Sequence, residues 1–238
     1  VHLTEGGATR GIVEVAAGRA DVGGTCRHTL PKDEERGVKL VPVAWDALVL
    51  ITHRSNPVGN LTLSQVRDIF TGRISNWKEV GGPDRAIQVL AREGKVSGVG
   101  RMARVLVFHN PDQDFTPTAR LFKSSGPLEE AVEKEPWAIA FSGISSVRKR
   151  AVKILSLEGR DASYENVASG KYLLYRPLYL VMREDAAPEA TRFIDFVLSQ
   201  EGQRLIKLQG TVPLKEGSHL WARYSEQMQK AGLPGAAR

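Results

Sequence analysis

The chain has 238 residues, 42% hydrophobic and 25% charged, which bounds it to one large or two small globular domains and excludes long disordered or low-complexity tracts. It holds no run of about 18 apolar residues, so no membrane span is expected. The net charge of +6 suits an anionic partner, but the basic residues are scattered apart from Arg148-Lys149-Arg150 and no aromatic-rich basic stripe accompanies them, so a solvated basic surface is expected and nucleic acid is not.

In chain order, strand-like and helix-like runs alternate, the pattern of an α/β fold. Residues 1–5 read as a strand entering the turn "GGATRG", and "GIVEVAAG" (11–18) as a short helix with Ile12, Val15 and Ala16 on one face. "ADVGG" (20–24) is a short buried strand, and "PKDEERG" (31–37) a polar loop or helical turn. "VKLVPVAWDALVLITH" (38–53) holds two strand runs with a break near Trp45-Asp46. "TLSQVRDIFTG" (62–72) is a helix with Thr62 as N-cap, Val66, Ile69 and Phe70 as its apolar face, and Gly72 at its end. "AIQVLAR" (86–92) and "WAIAFSG" (137–143) are buried strands, with the amphipathic helix "PLEEAVEKEP" (127–136) between them. "KYLLYRPLYLVMR" (171–183) is again two strand runs, broken at Arg176-Pro177. Residues 188–210 form the longest helical pattern, with Pro188 in its first turn and Phe193, Phe196, Val197, Leu205 and Ile206 facing inward. Trp45, Trp77 and Trp137 are expected in the core.

The two long strand runs bracket a middle segment, which fits two lobes joined by two crossings with a cleft between them. At one strand end stands "REGKVSGVGR" (92–101), a small-residue turn with fixed positive charge on both sides, followed by a helical run. Free N–H groups at such a helix start, together with Arg92, Ser97 and Gly98, suit an anion. The turn is not a nucleotide P-loop, because Val96 follows Lys95 where that motif needs Ser or Thr. Cys26, the single cysteine, can form neither an internal disulfide nor a cysteine-based zinc site, and the histidines lack metal-ligand spacing, so no metal or cofactor is expected.

"GRADVGGTCR", "NPVGNLTLSQVRDIFTGRISNWKEVGG", "REGKVSGVGR" and "FIDFVLSQEGQRLIKLQGTVPL" follow one another as in the phosphate-binding proteins of ABC transporters, and from Gly6 to about Leu214 the chain resembles that family. The resemblance implies a two-lobed type II periplasmic-binding-protein fold with a two-stranded hinge and an inter-lobe cleft. Lobe 1 would comprise residues 1–46 and 178–238, the latter with a C-terminal extension, and lobe 2 residues 47–177. The implied ligands are Thr9, Thr25 and Arg27 from lobe 1, and Arg92, Ser97 and Gly98 from lobe 2. For Arg27 the competing role is an ion pair with the "KDEE" stretch; for Arg92, an ion pair between lobes. The chain departs from the family pattern at Ala8, where a serine is usual, and at Val99, where a threonine is usual. It also joins the fold at what matches the family's second strand, which leaves open an absent upstream segment or a variant lacking that quarter of the site.

The function so implied is capture of inorganic phosphate or a similar tetrahedral oxyanion for ABC permease subunits. The location would be periplasmic or otherwise extracytoplasmic, with contact to the membrane only through the permease or a removed anchor. The alternative is a sensor or accessory protein of the same fold with weak or altered ligand binding. An enzyme acting on phosphate esters is not expected, because no Ser-His-Asp arrangement or paired carboxylates accompany the turn.

Overall fold

The computed structural model describes residues 2–4 and 6–234. The strand expected over residues 1–5 falls partly on Val1 and Glu5, outside the described residues, and His2–Thr4 have no regular structure. The chain then folds as α1 (Ala8–Ala16), β1 (Gly23–Thr25), a 3-10 turn at Asp33–Glu35, and the 16-residue β2 (Val38–His53). α1 lies directly on β1 because both are glycine at the crossing. A Cβ on Gly11 would stand 2.3 Å from Gly24 O, and one on Gly23 would stand 2.1 Å from Gly11 O. Ile12 and Val15 bury the other contact of α1 against Val181, forming a small core separate from the main one.

After β2 come β3 (Asn60–Leu61), α2 (Leu63–Thr71), β4 (Gln88–Arg92), α3 (Gly98–Ala103) with a π-helical continuation at Arg104–Phe108, β5 (Arg120–Phe122), α4 (Ser125–Lys134), β6 (Ala138–Gly143), α5 (Ile144–Val147), β7 (Val152–Ile154), β8 (Ser156–Leu157) and α6 (Tyr164–Ala168). α2 starts and stops as its sequence implies: Thr62 and Gln65 form a reciprocal capping box, and Gly72 closes the helix in the left-handed region. The chain returns through β9 (Tyr175–Arg183), α7 (Pro188–Leu198), α8 (Gln200–Leu208), β10 (Val212–Pro213) and α9 (Leu220–Lys230).

The main sheet has the order β1-β9-β2-β6-β4-β5, with β10 and β7 also pairing β2. β2 serves both lobes. Its first part pairs with β9 and β10, and its last part with β6 and β7. The β2–β9 ladder runs from Val38↔Arg183 to Ala47↔Tyr175 and is the two-stranded hinge.

Both long strands differ from their expected form. β2 is continuous through Trp45-Asp46, and its irregularity lies instead between Pro42 and Ala44. Pro42 has no N–H to give to a ladder, so a bulge forms there. Gln203 Nε2 donates to the Val43 carbonyl at that bulge. β9 is likewise unbroken at Pro177, and residues 171–174 stay outside it.

The helix expected over 188–210 is two helices. Ser199 is extended (φ −64°, ψ 165°), ends α7, and caps α8 by accepting from the Gly202 N–H. Phe193, Phe196 and Leu205, expected inside, are 49%, 48% and 40% exposed, because the change of direction at Ser199 leaves α7 and α8 to bury only Ala190, Ile194 and Gly202. Val197 and Ile206 are only half-buried. Trp45 and Trp77 are fully buried, while Trp137 packs on the core from its margin. α9 buries Leu220, Tyr224 and Met228 in the main core, with Trp221 and Tyr224 edge-on to Trp45.

Gly11→Ala should force α1 off β1. An unfolding free energy lower by about 1–3 kcal/mol in urea titration is expected, the usual cost of overpacking.

Candidate functional site

The turn at 96–98 meets lobe 1 directly. Thr9 Oγ1 donates to the Val96 carbonyl at 3.1 Å, and Arg27 Nε donates to the same oxygen at 2.8 Å. Gly98 packs so tightly against lobe 1 that a Cβ there would stand 2.5 Å from Cys26 Sγ and 2.7 Å from Ala8 Cβ. A Cβ on Gly7 would stand 3.3 Å from Arg92 Nη2. The lobes are therefore closed upon each other at the strand and helix ends where the sequence placed a ligand.

Arg27 is 1% exposed and has spent its donors. Besides Nε on Val96, Nη1 donates to the His28 carbonyl at 2.8 Å and to Glu35 Oε2 at 2.9 Å. Nη2 donates to Thr9 Oγ1 at 3.1 Å and to Glu35 Oε1 at 2.6 Å. These bonds take all five guanidinium N–H groups. Of the two roles open from the sequence, the ion pair with the acidic "KDEE" stretch is the one this arrangement displays. Burial works against ionisation of Glu35, but hydrogen bonds from Arg27 and from the Leu30 N–H outweigh it and hold its carboxyl below the ordinary value. The Thr25 hydroxyl is likewise spent: it donates to the Arg27 carbonyl and accepts from the Arg27 N–H, closing its own turn.

Arg92 stands at the end of β4, 7% exposed. Nε donates to the Phe122 carbonyl, Nη2 to the Lys123 carbonyl at 2.6 Å, and Nη1 to Ser125 Oγ at 3.0 Å. No carboxylate is among these partners, so the inter-lobe ion pair weighed from the sequence is not formed. Burial lowers the Arg92 pKa, as expected for a cation with no counter-charge in contact. Ser97 is buried at the start of α3, and its hydroxyl has no hydrogen-bond partner. It lies over Gly100, where a Cβ would stand 2.6 Å from Ser97 Oγ and 3.1 Å from Arg104 Nη1, another buried donor without an acceptor. The adjoining void, about 10 Å3 or room for about one water, is walled by Phe70, Leu90, Phe115 and Phe141 as well as by Arg92, Val99 and Gly100, so it lies within the lobe 2 core and is too small and too apolar for a tetrahedral oxyanion.

The structure thus gathers Thr9, Arg27, Arg92, Ser97 and Gly98 at one seam and leaves Thr25 beside it. Sequence reasoning did not anticipate Ser125 as the holder of Arg92, although the "SSGPLEE" run marks a helix start. Arg104, within a hydrophobic run, carried no signal of its own. Among the described residues no group of three or more His, Cys, Asp or Glu is gathered as a metal ion requires. Nor is any described helix long and apolar enough to cross a membrane.

The model of the PBP superfamily domain matches residues 1–201. The chain belongs to the PBP superfamily. Its relatives include the phosphate-binding protein PstS of Borreliella burgdorferi, 30% identical over 195 residues that span 78% of this chain and 70% of the relative. PstS of Bacillus subtilis is 24% identical over 230 residues, 91% of this chain and 72% of its own. Among solved structures, the putative phosphate ABC transporter substrate-binding protein of Clostridium perfringens, determined with bound phosphate, superposes with a TM-score of 0.78 at 33% identity, covering 87% of this chain and 84% of that one. An ABC-type phosphate transport receptor from Vibrio cholerae gives 0.65, also at 33% identity, covering 86% and 84%.

Two outcomes follow for a superfamily member closed in this way. Glu35 has its folded-state pKa below its unfolded value, so the Arg27–Glu35 pair contributes fully above about pH 4.3 and is lost as pH falls through the folded value. Stability against urea should decline across that acid window, and the decline should be shallower in Glu35→Gln. Gly98→Ala should hold the lobes apart, read as a larger radius of gyration by small-angle X-ray scattering with the far-UV spectrum unchanged.

Proposed function

We propose that this chain captures inorganic phosphate, or a similar tetrahedral oxyanion, between its lobes outside the cytoplasm and delivers it to the permease subunits of an ABC importer. The observation that carries this reading is Arg92: a buried guanidinium at the seam with no carboxylate bonded to it, next to the unpartnered hydroxyl of Ser97. Burying a charge without a partner is costly, and an oxyanion supplies both the counter-charge and the acceptors. The α3 start at Gly98 adds backbone N–H groups at close range, because no side chain shields them. Kinship with a phosphate-bound protein at 33% identity points the same way.

On this reading Arg27 and Thr9 act as a latch: both hold the Val96 carbonyl, which belongs to the other lobe, and closure is registered through them. No chemistry on the ligand is required. Permease docking and an extracytoplasmic location rest on the same kinship, since the neighbours just described are substrate-binding components of transporters.

A second reading, a sensor or accessory protein with weak or altered binding, is favoured by one observation. Arg27 is neutralised by Glu35, and Ala8 and Val99 bring no hydroxyl to the seam.

Calorimetric titration with phosphate, with sulfate and arsenate as controls, decides between them. The transport reading expects saturable phosphate binding, and a loss of about ten-fold or more in affinity for both Ser97→Ala and Arg92→Ala, the scale of a hydrogen bond to a charged group. Heat of dilution alone from every anion would remove this reading and leave the accessory one.

A further inference from the structure

The basic cluster of the sequence, Arg148-Lys149-Arg150, is divided by the fold. Arg150 turns back within lobe 2 to Glu129, Glu130 and Glu133. Arg148, which follows α5, crosses to lobe 1. Its Nη1 donates to the Gln209 carbonyl at 2.7 Å and its Nη2 to the Gly210 carbonyl at 2.6 Å, both at the end of α8. The last carbonyls of a helix lack partners of their own and carry the negative end of its dipole, so a cation suits them. Gly210 makes the contact possible: it takes a left-handed φ of 76°, and a Cβ there would occupy the place of the Arg148 guanidinium.

A second contact joins the lobes beside it. The Tyr164 hydroxyl, on α6 of lobe 2, donates to Glu216 just after β10. Lys207 on α8 donates to the other Glu216 oxygen at 2.7 Å and sets its ammonium 5.3 Å from the centre of the Tyr164 ring. A void of about 10 Å3 lies at this joint, its walls including Ile144, Arg148 and Tyr164 from lobe 2 and Gly210 and Val212 from lobe 1. Apolar packing between the lobes is interrupted there, and polar contacts bridge it. Water can replace such contacts one for one when the lobes part. α9 packs on Trp45 and accepts from the Tyr175 hydroxyl, both of them hinge residues, so it lies at the pivot, where parting the lobes displaces least.

None of these bonds involves Thr9, Arg27, Arg92, Ser97 or Gly98. They form alike whether the seam is empty or loaded. At the seam Gly98 is pressed against Cys26 and Ala8, so an anion enters only when the lobes part. We propose that Arg148 and Tyr164 form a clasp that holds the ligand-free lobes closed, and that its release gates the entry and exit of the anion. The gate rests on the phosphate reading above; the clasp on the empty protein does not. Because the clasp stabilises the empty and loaded closed forms equally, it cancels from the affinity as long as the empty protein stays mostly closed. It remains in the rates, since entry and exit both pass through the open form.

The test uses the full chain with Arg148→Ala, Tyr164→Phe and the two combined. Arg148 is exposed, and Phe keeps the Tyr164 ring, so folding is retained. Inorganic phosphate is mixed in by stopped flow, followed through the fluorescence of Trp45 and Trp221 beside the hinge, and affinity is taken from calorimetry. Association and dissociation rates should rise together, by about three- to ten-fold, the scale of a hydrogen bond from a charged group discounted for exposure, while Kd stays within about two-fold. Unchanged rates would overturn the clasp. So would a lower affinity reached through faster dissociation alone, because the contacts would then belong to the loaded form only. Small-angle X-ray scattering of the ligand-free double variant is the arm that needs no anion. If the parent binds no oxyanion, the phosphate reading falls and this arm alone decides: a larger radius of gyration with the far-UV spectrum unchanged supports the clasp, and scattering identical to the parent's overturns it.

Discussion

The arrangement depends on how buried positive charge is neutralised. Three buried guanidinium groups show this, and each is treated differently. Arg27 is locked by a bidentate carboxylate with no donor to spare. Arg176 is half-answered by Asp46. Arg92 is held in place only by neutral acceptors. A carboxylate that fully satisfies an arginine makes it structural, whereas carbonyls and a hydroxyl fix its orientation and leave its charge available. From Arg27 through Arg176 to Arg92 the charge is answered by progressively less carboxylate.

That gradient is produced by the fold. Arg27 and Glu35 are near in sequence and are brought face to face by the 3-10 turn at Asp33–Glu35. Asp46 and Arg176 are directly paired positions in the hinge ladder, so their contact follows from strand register. Arg92 ends β4, where the chain leaves the sheet, and its neighbours are the carbonyls of Phe122, the last residue of β5, and of Lys123 just past it, and the first serine of α4. Each arginine inherits its partner from a different level of structure: a local turn, a strand pairing, and the meeting of three element ends.

Much of the fold could be read from residue patterns, because the signals were local. The Thr62–Gln65 capping box and Gly72 delimit α2 without help from tertiary contacts. What was misread depended on the far side of an element. The hinge strands look interrupted in sequence, since proline and charged residues interrupt their apolar runs, yet the ladder continues through both places, with Pro177 opposite Trp45 and Asp46 opposite its ion-pair partner Arg176. Residues 188–210 have one helical period throughout, but Ser199 serves two helices at once, which turns Phe193 and Phe196 outward. In the candidate site the residue types and the turn were legible. Which donors were already spent was not, since that depends on the Val96 carbonyl and on Glu35, neither of which announces itself as a partner.

The closed seam also bears on the energetics of opening. Its cross-lobe bonds from Thr9 and Arg27 both end on one backbone oxygen, Val96 O. Parting the lobes exposes that carbonyl and two donors to water, which replaces them at little net cost, because a protein hydrogen bond is worth only about 0.5–1.5 kcal/mol over its hydrated alternatives. The Arg27–Glu35 pair lies wholly within lobe 1 and does not need to break. At the turn itself Gly98 packs against Ala8 and Cys26. The seam is not the whole tie between the lobes: Arg148 donates to the Gln209 and Gly210 carbonyls, the Tyr164 hydroxyl donates to Glu216, and α9 buries Leu220, Tyr224 and Met228 in the main core, so breaking the bonds to Val96 alone leaves the lobes joined along that side.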